Sequence, residues 1–370
     1  MSGMDRPITL HQPRRLEIGA GAAARLGDWA SGTARPLVIA SGPTEAYVER
    51  LGLSGAVEVV DDVPPEPDLP ALEAVLARAR AHRPDLVVGL GGGSVLDVAK
   101  LVAALWDGDQ DLRDVAGPDK VAGRRTPLAQ VATTAGTGSE AGIRALVTDP
   151  ATKAKIAVES PHLLADIAIL DPELTYSVPP AVTAATGIDA MAHCVEAFTN
   201  IRAHDLIDGY ARMGIALVGR YLARAVENGT DTEARAGMML ASYYGGLCLG
   251  PVNTAAGHAL AYPLGTRLSL PHGLANAIIF PHVLAWNQQA RPEKTAEIAR
   301  ALDLDEGRLL DSGRALCEGL GVEMRLSAHG AERADLEQWA AEAHAIRRLM
   351  DNNPRDMSVG DVARIYADAF

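Results

Sequence analysis

The sequence predicts two units of different class: an α/β domain on a parallel sheet over residues 1–178, then an all-helical domain over 179–370. Three observations carry this. Short apolar runs alternate with helix-like segments as far as Leu170, the pattern of a parallel sheet with helices on its faces. Strand signals almost vanish after Pro179-Pro180, and alanine, leucine and methionine then recur at helical spacing. A chain of 370 residues is long for a single core.

Taken in order, extended segments over 8–18 are broken by Pro13. Pro36-Leu37-Val38-Ile39-Ala40-Ser41 is a short apolar run ended by Gly42-Pro43, the mark of a buried strand. A second strand is expected over 57–60, a proline-rich loop over 62–70, a helix over 72–81 and a third strand over 85–90. That strand runs into Gly91-Gly92-Gly93-Ser94-Val95-Leu96-Asp97. Its glycines let backbone approach a phosphate closely. Ser94 and Asp97 stand at capping-box spacing, which predicts a helix start with free N–H groups for an anion. A ligand-free strand-to-helix turn fits the same residues. The pattern is neither G-x-G-x-x-G nor the Walker loop. A strand at Leu128–Ala132 leads into Thr133-Thr134-Ala135-Gly136-Thr137-Gly138-Ser139-Glu140. These hydroxyls and glycines suit a ribose or phosphate, or equally a self-capping turn. Lys153 and Lys155 lie beside an apolar run, and Ile167–Leu170 is the last strand-like segment.

Beyond the boundary near Val178, helices are expected over 181–200, 205–228, 231–249, 252–263, 273–287, 293–302, 306–319, 331–350 and 359–369. The first holds Asp189 and His193, one turn apart and on one face. A carboxylate and an imidazole so placed can grip one divalent ion, but two ligands do not make a site. His258 in Gly257-His258 and His272 in Pro271-His272-Gly273 are the best source of the others. A helix-face contact and satisfied core histidines are the plainer alternative. His282 reads as a structural histidine near a helix end.

The formal net charge of −13 argues against nucleic acid and anionic membranes as partners. Cys194, Cys248 and Cys317 are odd in number and far apart, which suits a reducing cytoplasm. No apolar run of membrane-spanning length and no signal peptide is read, so a cytoplasmic protein is expected.

Four motifs occur in one order: Gly91-Gly92-Gly93-Ser94-x-x-Asp97-x-x-Lys100, the Thr133 to Glu140 loop, Gly187-Ile188-Asp189-Ala190-x-x-His193, and Pro271-His272-Gly273-x-Ala275-Asn276. Asn352-Asn353-Pro354-Arg355 follows near the end. Over nearly its whole length the chain resembles the iron-dependent, group III, alcohol dehydrogenases. The resemblance implies a Rossmann-like nucleotide domain and a helical metal-binding domain, a fold shared with dehydroquinate synthase. It also implies a nicotinamide cofactor, NAD(P), and usually a homodimer. It maps the metal ligands onto Asp189, His193, His258 and His272, and the pyrophosphate loop onto Gly92, Gly93 and Ser94 with Asp97 beside it. Further cofactor contacts map onto Thr133, Thr134, Thr137 and Lys155. Iron(II) is the implied metal, although the donor set also suits zinc, nickel or cobalt.

The expected activity is therefore an NAD(P)- and metal-dependent alcohol dehydrogenase or aldehyde reductase. Maleylacetate reductase or hydroxyacid–oxoacid transhydrogenase, acting on an anionic oxoacid, is the alternative within the family. A dehydroquinate synthase-like lyase is disfavoured by the Asp/His/His/His set, and a non-catalytic nucleotide-binding protein by the intact four ligands. Three positions depart from the family pattern. Tyr262 stands where many members have a histidine that assists proton transfer. Ser41 stands near the aspartate of NAD-preferring members, with no acid or base in its own segment, so NADPH is expected to be accepted. Arg144 stands where neutral or polar residues are usual. It is expected to hold an anionic substrate, to pair with cofactor phosphate or Glu140, or to be an ordinary surface arginine.

Overall fold

The computed structural model describes residues 6–152 and 154–370, so Lys153 lies outside the described residues. The chain forms two compact units, residues 10–177 and residues 178–370, and residues 6–9 group with the second. The first unit runs β1 (Arg15–Ile18), α1 (Arg25–Trp29), β2 (Pro36–Ile39), α2 (Gly42–Glu45), β3 (Glu58–Val60), α3 (Leu69–His82), β4 (Leu86–Gly91), α4 (Gly93–Leu105), β5 (Gly117–Pro118), β6 (Leu128–Ala132), β7 (Arg144–Asp149), β8 (Ala154–Glu159) and β9 (Ile167–Leu170).

Six strands make one parallel sheet in the order β1-β9-β6-β4-β2-β3. Both faces are covered, which is why these strands read as unbroken apolar runs. Successive residues feed opposite cores. Leu37, Ile39 and Val87 pack with α3 and α4 residues such as Leu72, Val98 and Leu101. Val38, Leu86, Val88 and Leu90 pack on the other face with Leu26, Leu51 and Ile169. β2, β4 and β6 are adjacent and parallel. The loops at their C-terminal ends therefore leave the same edge of the sheet, where α/β folds bind ligands.

A second sheet, β5-β8-β7, pairs Arg144–Asp149 antiparallel to Ala154–Glu159. The sequence pattern did not anticipate β5, β7 or β8. The helix expected to open on a Ser94/Asp97 capping box starts differently: Gly92 is its N-cap and no side chain caps it. The first-turn N–H groups are thus not taken by the N-cap residue.

The second unit runs α5 (Pro180–Thr199), α6 (Asp205–Glu227), α7 (Thr232–Leu249), α8 (Ala256–Leu268), α9 (His272–Asn287), α10 (Pro292–Ala301), α11 (Leu309–Gly319), α12 (Leu336–His344), α13 (Arg347–Met350) and α14 (Val359–Asp368). α5 is buried without interruption from Gly187 to Thr199. α8 begins later than the expected 252 because Val252 and Asn253 both turn back to the Cys248 carbonyl. Asn253 is left-handed there, with φ 79°, a conformation that no helix accommodates. The single helix expected over 331–350 is broken, because Ile346 leaves helical geometry at φ −78°, ψ 62°.

Candidate functional site

α5, α8 and the start of α9 bring Asp189, His193, His258 and His272 together. One donor atom from each lies within 4.8 Å of the other three. Asp189 Oδ1 is 3.9 Å from His193 Nε2, 3.6 Å from His258 Nε2 and 3.7 Å from His272 Nε2. With bonds of about 2.1 Å, the donors of a tetrahedral ion stand about 3.4 Å apart. The four side chains therefore fit a divalent cation after small inward shifts. The imidazole planes are arranged in sequence: His193 stacks on His258 at 4.7 Å, and His258 meets His272 at 5.3 Å, tilted by 57°.

A buried carboxylate needs partners, and Asp189 has four. Burial favours its neutral form, but His193, His272 and His258 outweigh this and hold it well below the usual carboxylate range. The amide nitrogen of Asn276 donates to Asp189 Oδ1 at 2.7 Å, and lies 3.1 Å from His272 Nε2 and 3.3 Å from His258 Nε2. An electropositive group thus already stands against three of the four donor atoms, as a cation would. Asn276 Oδ1 and His193 Nδ1 are buried with no hydrogen-bond partner among the described residues. Burial pushes His193 down to about 4, with Asp189 opposing.

Glu196 was not picked out from the sequence. It lies on α5 one turn past His193, and its Oε1 is 2.6 Å from His258 Nδ1. Its Oε2 accepts the N–H of Ala255 at 2.5 Å and that of His258 at 3.4 Å. A carboxylate on one ring nitrogen fixes the tautomer and aims the other at the metal position. Burial would lower His258, but Glu196 and Asp189 raise it to about 10. Gly257 makes this contact sterically feasible: a Cβ there would stand 2.5 Å from Glu196 Oε1. The signal available was the stripe Asp189, His193, Glu196 on one helix. Its partner, however, is 62 residues away.

Tyr262 lies one turn after His258 on α8. Its ring stacks on His272 at 5.8 Å, and its hydroxyl accepts from Arg348 Nη2 at 3.2 Å. His282, also buried, lies outside the four-residue cluster, and burial pushes it down to about 4.

In the first unit, the Gly91–Ser94 loop and the Thr133 to Glu140 loop leave adjacent strands. A Cβ on Gly93 would lie 2.6 Å from the Thr137 side chain, and one on Gly92 3.0 Å from Thr134 Oγ1. Glycine is what lets the two loops touch. Thr133 is buried and continues the sheet by donating its N–H to Gly91 O. Ser94 Oγ accepts the N–H of Glu66, and Glu66 pairs with Lys155. Asp97 is engaged elsewhere. It accepts from Ser139 Oγ at 2.6 Å and from the Leu146 N–H at 2.9 Å. Lys100, fully buried, donates to Ser139 and to the Arg144 carbonyl.

Ser41 forms an isolated bridge with Asp62. That backbone pairing brings the chain just after β3 against the Ser41 segment. Arg144 opens β7, and its Nε and Nη2 both donate to Glu159 Oε2, at 3.1 and 2.6 Å. It does not share a helix with Glu140, which sits in the turn Ser139–Ala141.

An α/β unit with glycine-rich loops at one sheet edge, followed by a helical unit holding one carboxylate and three imidazoles, is the layout of a metal-dependent oxidoreductase. Residues 13–172 match the model for iron-containing alcohol dehydrogenase, and residues 183–370 match that for the C-terminal domain of the Fe-containing alcohol dehydrogenase family. The chain is 37% identical over 348 residues to long-chain-alcohol dehydrogenase 1 of Geobacillus thermodenitrificans, covering 90% of this chain and 88% of that one. A 1,3-propanediol oxidoreductase crystal structure superimposes with a TM-score of 0.92 at 30% identity, covering 99% of this chain and 100% of that one. Sulfoacetaldehyde reductase from Bifidobacterium kashiwanohense, in complex with NAD+, does so at 0.89 and 27% identity, over 98% of this chain and 99% of that one. The chain belongs to the iron-containing alcohol dehydrogenase family and is an oxidoreductase acting on CH–OH groups. No helix among the described residues is long and apolar enough to cross a membrane.

Proposed function

We propose that this chain interconverts a small alcohol and its aldehyde or ketone with NAD(H), using a divalent metal, iron(II) by family, held by Asp189, His193, His258 and His272. The observation that carries this is the convergence of those four donor atoms within 4.8 Å. When bound, the metal supplies Lewis acidity and the nicotinamide supplies the hydride acceptor or donor. The protein does the rest. Asp189, kept ionised, contributes the one negative ligand, and Glu196 fixes the orientation of His258. Asn276 braces Asp189 through its amide nitrogen. Gly92, Gly93 and Ser94 offer uncapped N–H groups to a pyrophosphate, with Thr134, Thr137 and Lys155 beside them. Thr133 and Asp97 act in this reading as supports of those loops. Tyr262, next to His272, can hold a proton at its hydroxyl.

Asp62 beside Ser41 favours NAD(H) over NADP(H), because an acid there accepts from a ribose 2′-hydroxyl and repels a 2′-phosphate. This revises the expectation that rested on Ser41 alone. The relatives named above are alcohol dehydrogenases or reductases, which supports that activity over the transhydrogenase or maleylacetate reductase alternative. We also take the working form to be a cytoplasmic homodimer. Three buried free cysteines are consistent with a reducing compartment, and sedimentation velocity reads the dimer.

The test is a nicotinamide-linked screen of alcohols, aldehydes and oxoacids, with the protein stripped and reloaded with iron(II) or zinc. Metal-dependent turnover that vanishes in His272→Ala, together with bound metal, is expected. Full metal content and unchanged rates in both His258→Ala and His272→Ala would remove the proposal.

A further inference from the structure

The four metal-binding side chains are not equally enclosed. Those of Asp189, His193 and His258 are 3–6% exposed, whereas His272 is 31% exposed. Of the four, His272 is the one that solvent reaches. The next residue on that side is Tyr262, partly exposed, with its ring on His272. On Tyr262 lies Arg348 of α13, exposed at the surface, its guanidinium carbon 5.6 Å from the ring centroid and its Nη2 hydrogen-bonded to the phenol oxygen. Two contacts on one aromatic ring hold this guanidinium in place. Neighbouring arginines are neutralised: Arg347 pairs with Asp351 and Arg267 with Glu342. Among the described residues, no carboxylate lies within ion-pair distance of Arg348.

An arginine that is pre-positioned, exposed and not ion-paired is suited to take a carboxylate or sulfonate on its planar fork. Its hydrogen bond uses one of five N–H donors. The Tyr262 oxygen accepts from Arg348, so its own proton is available to a second acceptor. In a chain of net charge −13, this corner adds positive charge beside the metal site. Resting on the reading of that site given above, we propose that Arg348, with the Tyr262 hydroxyl, grips the anionic end of the substrate. The preferred substrates are then small carbonyl compounds bearing a carboxylate or sulfonate, and their hydroxy counterparts. Sequence position suggested the same grip, as one of three roles, for Arg144, which pairs with Glu159 in this structure.

The experiment uses metal-loaded protein with two matched pairs: 4-oxobutanoate against butanal, and sulfoacetaldehyde against propanal. Arg348→Met is expected to lower kcat/KM for the anionic member by about 10- to 100-fold and to leave the uncharged member within about threefold. Arg348→Lys should recover part of the loss, since it restores the charge without the fork. Loss on only one anionic aldehyde identifies carboxylate or sulfonate as the group held. Calorimetric binding of 4-hydroxybutanoate and of 1-butanol gives a readout independent of turnover, and only the former should weaken in Arg348→Met. Equal effects of Arg348→Met on charged and uncharged partners, in rate and in binding, would overturn the proposal while leaving the dehydrogenase intact. Absence of turnover of every aldehyde and alcohol would instead count against the dehydrogenase reading. The binding comparison would still decide for or against the Arg348 grip.

Discussion

Glu196→Gln separates a metal site that is merely present from one that is held in shape. The wild-type carboxylate accepts three hydrogen bonds: from His258 Nδ1 at 2.6 Å, from the Ala255 N–H at 2.5 Å and from the His258 N–H at 3.4 Å. Glutamine keeps a single acceptor oxygen. If it faces His258 Nδ1, the amide NH2 confronts two backbone donors in a buried place. If it faces the backbone, the NH2 confronts the ring N–H and the imidazole must flip or tilt. Either way at least one buried donor loses its partner, at about 1–3 kcal/mol each. Changes at residues orienting a metal-bound histidine cost about 10- to 100-fold in metal affinity, the same range. The assay is competition of zinc against a chromophoric chelator, with circular dichroism as a check on folding. Gly257→Ala is the companion, because a Cβ 2.5 Å from Glu196 Oε1 pushes the carboxylate off His258 without altering any ligand. Zinc affinity within about threefold of wild type in both folded variants would refute the argument that Glu196 orients His258.

Three further outcomes are expected. His272→Ala should lose metal and turnover while its unfolding transition without metal stays close to wild type, because His272 is the most exposed of the four; retained stoichiometric metal would contradict this. Asp62→Asn should raise kcat/KM for NADPH relative to NADH by about tenfold or more, or about 1.4 kcal/mol, and an unchanged ratio would clear Asp62 of any role in cofactor choice. Burial raises Glu140 to about 7, against its backbone hydrogen bond and the charge of Lys100. A raised carboxyl means that the folded state holds the extra proton, so stability is full below about pH 4.5 and falls as pH rises to about 7, by up to about 3 kcal/mol. Glu140→Gln should flatten that slope in thermal unfolding curves taken from pH 5 to 8, and an unaltered slope would place the titration elsewhere.

What the sequence disclosed was local, and what it hid depends on distant parts of the chain meeting. β2 and β4 were legible because a strand covered on both faces must be apolar at every position, whichever neighbours it has. β7 and β8 were not, because Arg144, Asp149, Lys155 and Glu159 interrupt the apolar pattern, and Arg144 and Lys155 find partners in Glu159 and Glu66. Asp189 and His193 announced themselves by one helical turn of separation. Glu196 stands on the same helix but has meaning only through Gly257 and His258, whose approach depends on how α5 and α8 pack. The same distinction holds at the proposed cofactor site. The Ser41 segment was judged by its own residues, while the backbone of Asp62 is brought beside it by the pairing of β2 with β3. Arg348 follows this rule most plainly. In the sequence it is one of two adjacent arginines in a stretch expected to be continuous helix. The break at Ile346 ends α12, so α13 is a separate turn that packs against α8 and sets the guanidinium on Tyr262. A motif scan sees residues that work with their near neighbours. Residues that work across the fold are found only once their partners are known, so the specificity of this enzyme should be sought among them rather than in the Asp189, His193, His258 and His272 cluster.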